Sequence, residues 1–203
     1  MADLPVDLGA RLTEHLARVL DVEAKIPRTL EALGPIGGRD VLLLDGADGI
    51  RARQLVALGA RVAFAEADGL ARIDVPDASA DVLAGLWSAF RGVTPHEAAE
   101  VARVVRPGGR QLVLLDYGRD EVSRLRGDVP EYGLLSRRDG PFLRGGFKVR
   151  VVHCFWTFAS IEEAGEFLAE SFGDVGRAVA AGMKRPRLSY NVAVYHRTIG
   201  APS

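Results

Sequence analysis

Apolar residues recur every three or four positions in the first part of the chain, a pattern that predicts amphipathic helices. A helix is expected over residues 7–26, where these positions fall near one face: Leu8, Leu12, His15, Leu16, Val19 and Leu20. A shorter helix is expected over residues 27–33, because the sequence Gly-Pro-Ile-Gly-Gly follows it and stops helical structure.

Four apolar runs follow, and each predicts a buried strand. They cover residues 40–46, 60–68, 80–90 and 110–118. Helical patterns at 50–59 and 94–105 separate them. The second of these helices begins with a capping box, in which Thr94 is the N-cap and Glu97 lies three positions later. This alternation predicts a doubly wound α/β domain whose mostly parallel sheet carries helices on both faces.

The last third of the chain has a different pattern. A loop rich in Arg, Gly and Asp covers residues 126–146 and leads into an apolar strand at 147–158. A helix at 160–173 follows, and an alternating strand at 187–198 suits an antiparallel position. We expect one domain over residues 1–203, with N-terminal helices at 1–34 and a loop and strand insertion at 126–158. The length and glycines of this insertion are typical of a lid.

Composition narrows the class of protein. A chain of 203 residues that is 48% hydrophobic can form one well-cored domain, and a net charge of −1 gives no global field that attracts nucleic acid. Cys154 is the single cysteine, which excludes an intramolecular disulfide. Neither a signal peptide nor an apolar run of membrane-spanning length is present, so we expect a cytoplasmic protein. Four scattered histidines predict no metal site.

One segment supports a family resemblance. At residues 96–118, a helix ending in a basic residue, a Pro-Gly-Gly sequence and an apolar strand resemble the segment before strand five of class I S-adenosylmethionine-dependent methyltransferases. Residues 73–90 resemble the family's acidic turn and strand four, and residues 38–49 resemble its strand one and glycine loop. The resemblance implies a Rossmann-like sheet with an antiparallel last strand. It also implies S-adenosylmethionine over the carboxyl ends of the strands.

The glycine loop departs from the family pattern of an acid followed by Gly-x-Gly-x-Gly. Aligned on Gly49, the sequence places Asp45 at the first glycine and Ala47 at the second, so one of three glycines remains. A shift by two positions would give Asp45 the role of the acid but shorten the loop. In either alignment Asp48 lies near the cofactor's carboxylate. Like charges ~4 Å apart cost about 1 kcal/mol in water and about 4 kcal/mol at an effective dielectric of 20.

The resemblance assigns Asp45, Gly46, Ala47 and Gly49 to cofactor binding. The residues themselves leave three interpretations open. The loop binds S-adenosylmethionine, forms a structural turn, or accepts another ligand.

A second departure follows the predicted second strand. The resemblance makes Glu66 the acid that holds the ribose hydroxyls, and Asp68 part of the adenine wall; the alternative is that both are surface carboxylates. Residues 67–80 are too few for a helix and a strand, since a parallel crossover alone takes about a dozen residues. The edge βα unit, strand three of the family, is therefore expected to be missing. The short exposed edge that remains would favour a homodimer.

Candidate residues for methyl transfer lie at strand ends. The resemblance places Trp87 against the transferred methyl group, while Asp116, Tyr117 and His153 are candidate catalytic residues. Surface or hydrogen-bonding roles are the alternatives for Asp116 and Tyr117. A hydrogen-bonded place in the core is the alternative for His153. An Asn-Pro-Pro-Tyr signature is absent, which argues against amino-group and nucleobase acceptors.

A basic stretch interleaved with aromatic residues is typical of surfaces that bind phosphate or RNA. It contains Arg137, Arg138, Phe142, Arg144, Phe147, Lys148 and Arg150. Nearby acids and the low net charge argue against nucleic acid.

From the family resemblance we predict an S-adenosylmethionine-dependent methyltransferase acting on a small molecule. The alternative is an inactive methyltransferase-fold protein that serves in binding or oligomerisation. The sequence does not name the methyl acceptor.

Overall fold

The computed structural model describes residue 5 and residues 8–46, 49–67, 72–127 and 134–200. Its helices are α1 (Ala10–Val19), α2 (Lys25–Ala32), α3 (Ile50–Ala57), α4 (Pro95–Val104), α5 (Glu121–Arg126), α6 (Pro141–Arg144) and α7 (Ile161–Ala181). Its strands are β1 (Asp40–Leu44), β2 (Arg61–Ala65), β3 (Ala80–Leu86), β4 (Val105–Asp116), β5 (Lys148–Thr157) and β6 (Arg187–Thr198). No described helix is long and apolar enough to cross a membrane.

Six strands form one sheet in the order β2-β1-β3-β4-β6-β5. Strands β2, β1, β3 and β4 are mutually parallel, and β6 runs antiparallel to both of its neighbours, β4 and β5. This arrangement confirms the predicted mostly parallel sheet and its antiparallel last strand. The strand order reverses between β1 and β3, and the crevice of an open α/β sheet lies at such a switch point.

Both faces of the sheet are covered. The larger core lies on one face, where Leu16 of α1, Leu30 of α2 and Phe167 of α7 pack against the strands. The other face is covered by α4 through Val101 and by residues 134–147. Two covered faces explain why the strands β1, β3 and β4 consist of nearly continuous apolar residues.

The two predicted N-terminal helices are present, but the first ends before residue 26 and the second begins before residue 27. Helix α1 ends at Val19, and Asp21 takes a left-handed φ of 58°. The Asp21 carboxylate then accepts hydrogen bonds from the backbone N–H groups of Lys25 (2.9 Å) and Ile26 (2.8 Å), which lie in the first turn of α2. The periodicity predicted the buried face but not the break, because one Asp turned inward caps a new helix.

The capping box of α4 is confirmed. Thr94 Oγ accepts from the Glu97 N–H at 3.2 Å, and Glu97 Oε2 accepts from the Thr94 N–H at 3.0 Å. Two neighbouring predictions also agree with the structure. Residues 106–109, expected as a turn, lie within the bounds of β4 but interrupt its pairing with β3, whose register shifts between Val105 and Arg110, and Gly108 has a φ of 80°. The helix expected over 160–173 breaks at Gly173, whose φ of 58° and ψ of −131° are not helical, and a second helical segment completes α7.

Strand β2 differs most from its prediction. It was expected to be buried, but it is largely exposed, and Phe64 keeps 45% of its surface accessible. The reason is its edge position: across residues 66–67 and 72–79 the structure contains only an isolated bridge, between Ala67 and Ile73, and no further strand. In the described residues, the short interval therefore leaves the outer edge of β2 without a neighbouring strand.

The segment expected as an insertion is part of the core where it is described. Strand β5 pairs with β6 over its whole length. The buried ring of Phe142 stacks on Tyr195 with centroids 3.9 Å apart and meets Phe147 edge-on at 5.1 Å. These two phenylalanine rings fill the space against the sheet and are not available to stack on bases.

Candidate functional site

The site begins where β1 ends. Asp45 follows β1 with a φ of 54°, a conformation that favours glycine, and its N–H donates to the Ala65 carbonyl at 2.9 Å. Helix α3 begins at Ile50, so the connecting loop has the length that the alignment on Gly49 requires.

The Asp45 carboxylate links three strand ends. It accepts the Ala67 N–H beyond β2 at 2.8 Å, and it accepts the hydroxyl of Ser88, which follows β3. Ser88 is itself 2% exposed, and its oxygen accepts the Phe90 N–H at 2.9 Å. The hydrogen bond between Asp45 and Ser88 therefore spans the switch point between β1 and β3.

The other predicted cofactor residues have different environments. Glu66 comes directly after β2, is exposed, and has no polar partner within the described ranges. Gly49 is the N-cap of α3 with a φ of −92°, so it does not use the left-handed conformation expected of a loop glycine. Gly46 is half-buried. Ala47, Asp48 and Asp68 lie outside the described residues.

Trp87 lies directly after β3, next to β4. It has a left-handed φ of 55°, and its backbone N–H donates to the Leu114 carbonyl at 2.8 Å. Its indole N–H donates to Asp116 Oδ1 at 2.8 Å and lies 3.2 Å from the Tyr190 hydroxyl. The ring is therefore fixed in orientation by the neighbouring strands.

Asp116 is the centre of this network. Its side chain is 6% exposed and accepts hydrogen bonds from Trp87, from the Tyr190 hydroxyl and from the Arg126 guanidinium of α5. Burial and the adjacent Asp116 charge raise the pKa of the Tyr190 hydroxyl well above its usual value. Tyr190 therefore stays a proton donor to Asp116, and Asp116 acts by positioning Trp87.

The three candidate catalytic residues do not come together. Tyr117 packs with Val113 and its cluster on the opposite face of the sheet from Trp87. His153 was expected either in the core or as a catalytic base. It is exposed on β5, and its Nδ1 lies 2.7 Å from Asn191 Oδ1. The expectation failed because the covered face of β5 carries Val152, Cys154 and Trp156 instead.

Arg51 was missed by sequence reasoning. It lies in the first turn of α3 with 1% of its surface exposed, and Nη1 donates to Gln54 at 2.7 Å. It is 4.0 Å from the buried Asp21 carboxylate, and its guanidinium carbon lies 5.8 Å from the Trp87 ring centre. A positive charge is thus buried directly behind the wall of the crevice. An arginine in an amphipathic helix gives no sequence signal for such burial.

Comparison with known proteins gives a fold but no sequence family. No family model matches the chain, and no curated protein matches it. A solved structure from Anabaena variabilis, described as a methyltransferase from an antibiotic biosynthesis pathway, is similar with a TM-score of 0.54 and 11% identity. The match covers 88% of this chain and 98% of that chain.

Two further solved structures are less similar. A SAM dependent methyltransferase from Aquifex aeolicus matches with a TM-score of 0.49 and 15% identity, over 92% of this chain and 96% of that chain. Phosphoethanolamine N-methyltransferase 2 from Haemonchus contortus, solved with phosphomonomethylethanolamine and S-adenosylhomocysteine, matches with a TM-score of 0.44 and 13% identity. That match covers 92% of this chain and 58% of the other. The topology and the first comparison together establish that the protein has the class I S-adenosylmethionine-dependent methyltransferase fold.

Proposed function

We propose that the chain binds S-adenosylmethionine across the carboxyl ends of β1, β2 and β3 and transfers its methyl group to a small molecule. The observation that carries this proposal is Glu66. Its carboxylate is exposed and unpartnered among the described residues, and it stands one strand away from Asp45 at the switch point. A free carboxylate in this place suits the two hydroxyls of a ribose, which are hydrogen-bond donors.

The remaining groups suit the charges of the cofactor's amino-acid part. Asp45 accepts two hydrogen bonds from the protein, whereas a carboxylate can accept about four, so it retains capacity for an ammonium group. Helix α3 has Gly49 as its N-cap and no side-chain cap, which leaves N–H groups in its first turn for a carboxylate. Acidic groups near the crevice also favour a cationic sulfonium over its neutral demethylated product.

When bound, the cofactor would supply an electrophilic methyl group. The chain's own contribution is to hold Trp87 rigidly through Asp116 and so to orient the two reactants. Asp116, Tyr190 and Arg126 are hydrogen-bonded to one another and are not available as a general base. This favours an acceptor whose nucleophile does not need a general base at neutral pH.

A second candidate function is binding without methyl transfer. It is favoured by the hydrogen bond between Asp45 and Ser88, which crosses the place where the cofactor's amino-acid part would lie. In this case Asp45 would exclude the cofactor's carboxylate by charge repulsion rather than bind its ammonium.

Replacing Asp45 by Asn separates the two candidates by the sign of its effect, because it removes the charge and keeps the shape. Titration calorimetry with S-adenosylmethionine should show weaker binding to the variant if Asp45 accepts the ammonium, and stronger binding if it repels the carboxylate. Transfer to a panel of small thiols and carboxylates would then be followed by the release of S-adenosylhomocysteine. The proposed function is overturned if neither S-adenosylmethionine nor S-adenosylhomocysteine gives heat of binding or a thermal shift.

A further inference from the structure

A second cavity lies at the opposite end of the sheet. Its volume is about 830 Å³, and Arg110 of β4, Lys148 of β5 and His196 of β6 are among its lining residues. Arg110 and Asp116 are six residues apart on β4, which corresponds to about 20 Å in an extended strand. This cavity is therefore separate from the crevice at the carboxyl ends.

The strand register brings the three side chains together. His196 pairs directly with Lys148 on one side and with Leu112 on the other. Arg110 precedes Leu112 by two residues, so it points to the same face of the sheet. Three cationic or ionisable groups thus lie side by side on three adjacent strands.

No acid neutralises these groups in the structure as described. Carboxylates are absent from the residues that line the cavity, and the ion pairs of the described residues include neither Arg110 nor Lys148. Arg110 donates to the Leu33 carbonyl, a neutral acceptor. Burial, Arg110 and Lys148 together lower the pKa of His196. The cavity therefore has a positive potential that the protein leaves uncompensated.

The rest of the lining comes from both faces of the sheet. Arg197 follows His196 and so points to the opposite face, where it is held by Gln111 Oε1 at 2.9 Å and by the carbonyls of Gly145 and Gly92, both at 3.1 Å. Apolar residues line other parts, among them Leu33, Ala98, Ala102 and Ile199. The volume falls in the range of about 300–1,000 Å³ that is usual for small-molecule sites.

We propose that this cavity binds a phosphorylated small molecule through Arg110, Lys148 and His196. A phosphate group accepts hydrogen bonds from all three side chains and supplies the missing negative charge. The apolar lining would contact the remainder of the molecule. The proposal concerns a site that takes no part in S-adenosylmethionine binding, and the two can fail independently.

The first test is calorimetric titration with inorganic pyrophosphate at constant ionic strength, since salt screens such contacts. We expect Lys148→Ala and Arg110→Ala each to weaken binding at least fivefold. The control, Arg138→Ala, removes an exposed arginine from outside the cavity lining and should bind like the wild type. Lys148 is exposed, so its variant tests the site even if Arg110→Ala folds poorly.

The second test uses the His196 ring as a reporter. Sulfate keeps its charge over the working pH range, so adding it should raise the pKa of His196 in an NMR titration. The exposed His153 should not respond, and His196→Gln assigns the signal. The proposal is overturned if pyrophosphate does not bind, or if Lys148→Ala binds it like the wild type. Binding of oligonucleotides alone, with an affinity that grows with length, would also overturn it in favour of a nucleic-acid surface.

Discussion

Two clusters of charged residues at opposite ends of the sheet differ in how their charges are compensated. At the carboxyl end, Asp116 is buried and surrounded by donors, and Asp45 is bonded to Ser88 and Ala67. At the amino end, Lys148 and His196 lie side by side with no acid among the residues of their cavity. The comparison teaches that the carboxylates at the carboxyl end mainly hold the fold together. Uncompensated charge, at Glu66 and at the amino end, marks where ligands are to be sought.

The largest expected effect comes from Asp116→Ala. The change leaves Arg126, Trp87 and Tyr190 without their shared acceptor in a buried place. We expect the free energy of unfolding to fall by about 3–5 kcal/mol, measured by urea denaturation. Asp174→Ala is the control, because the Asp174 side chain is 96% exposed and its ion pair contributes little. A loss below about 1 kcal/mol for Asp116→Ala would break the comparison at its carboxyl end.

Tyr190→Phe should have a smaller effect of the same kind. The ring keeps its packing against Trp156, and only the hydroxyl that donates to Asp116 is lost. A hydrogen bond to a charged group contributes about 1.5–3 kcal/mol, and the same urea experiment should show a loss in that range. An unchanged midpoint would mean that Asp116 is held by Arg126 and Trp87 alone.

At the amino end, Lys148→Ala should leave stability nearly unchanged. The side chain is exposed, has no acidic partner among the described residues, and lies beside two other basic groups. We expect a change within about 0.5 kcal/mol in urea denaturation, because exposed residues without such contacts contribute little. A loss above about 1.5 kcal/mol would show that Lys148 is structural and would remove the contrast between the two ends.

The smallest effect concerns pH and His196. Its pKa in the folded protein lies below the ordinary value of 6.5, so the unfolded chain binds the proton more readily. The wild type should therefore lose stability relative to His196→Gln as the pH falls below about 6.5, down to the lowered folded pKa. Thermal melts of both proteins between pH 5 and 8 would detect this difference in stability. Sulfate should reduce the difference, and an opposite slope would contradict the positive potential.

Local patterns in the sequence predicted a large part of the fold. The apolar runs located the parallel strands, and Thr94 and Glu97 specified the start of α4. The short interval 67–80 predicted that no further helix and strand separate β2 from β3, and the described part of that interval contains neither. Strand β2 is exposed because it lies at the edge of the sheet, although its apolar residues predicted a buried strand. The break at Asp21 depends on one residue's backbone conformation, which periodicity does not give, whereas the end of a helix at Gly173 was predicted.

The candidate site was less predictable, because it depends on contacts between distant residues. The family resemblance assigned Asp45 and Glu66 to cofactor binding, and this assignment stays a prediction. The bond from Trp87 to Asp116 and the part played by Tyr190 depend on how β3, β4 and β6 align, which periodicity does not give. His153 was misplaced for the same reason, since alternation defines two faces of a strand but not which of them is covered.

One measurement tests the central claim most directly, namely that the carboxyl end still holds S-adenosylmethionine. Titration calorimetry would compare the wild type with Glu66→Gln and with Glu166→Gln, an exposed glutamate of α7 that serves as the matched control. Loss of a charge-assisted hydrogen bond predicts at least tenfold weaker binding for Glu66→Gln and no change for Glu166→Gln. Equal affinities for all three proteins, or no binding to the wild type, would contradict the account.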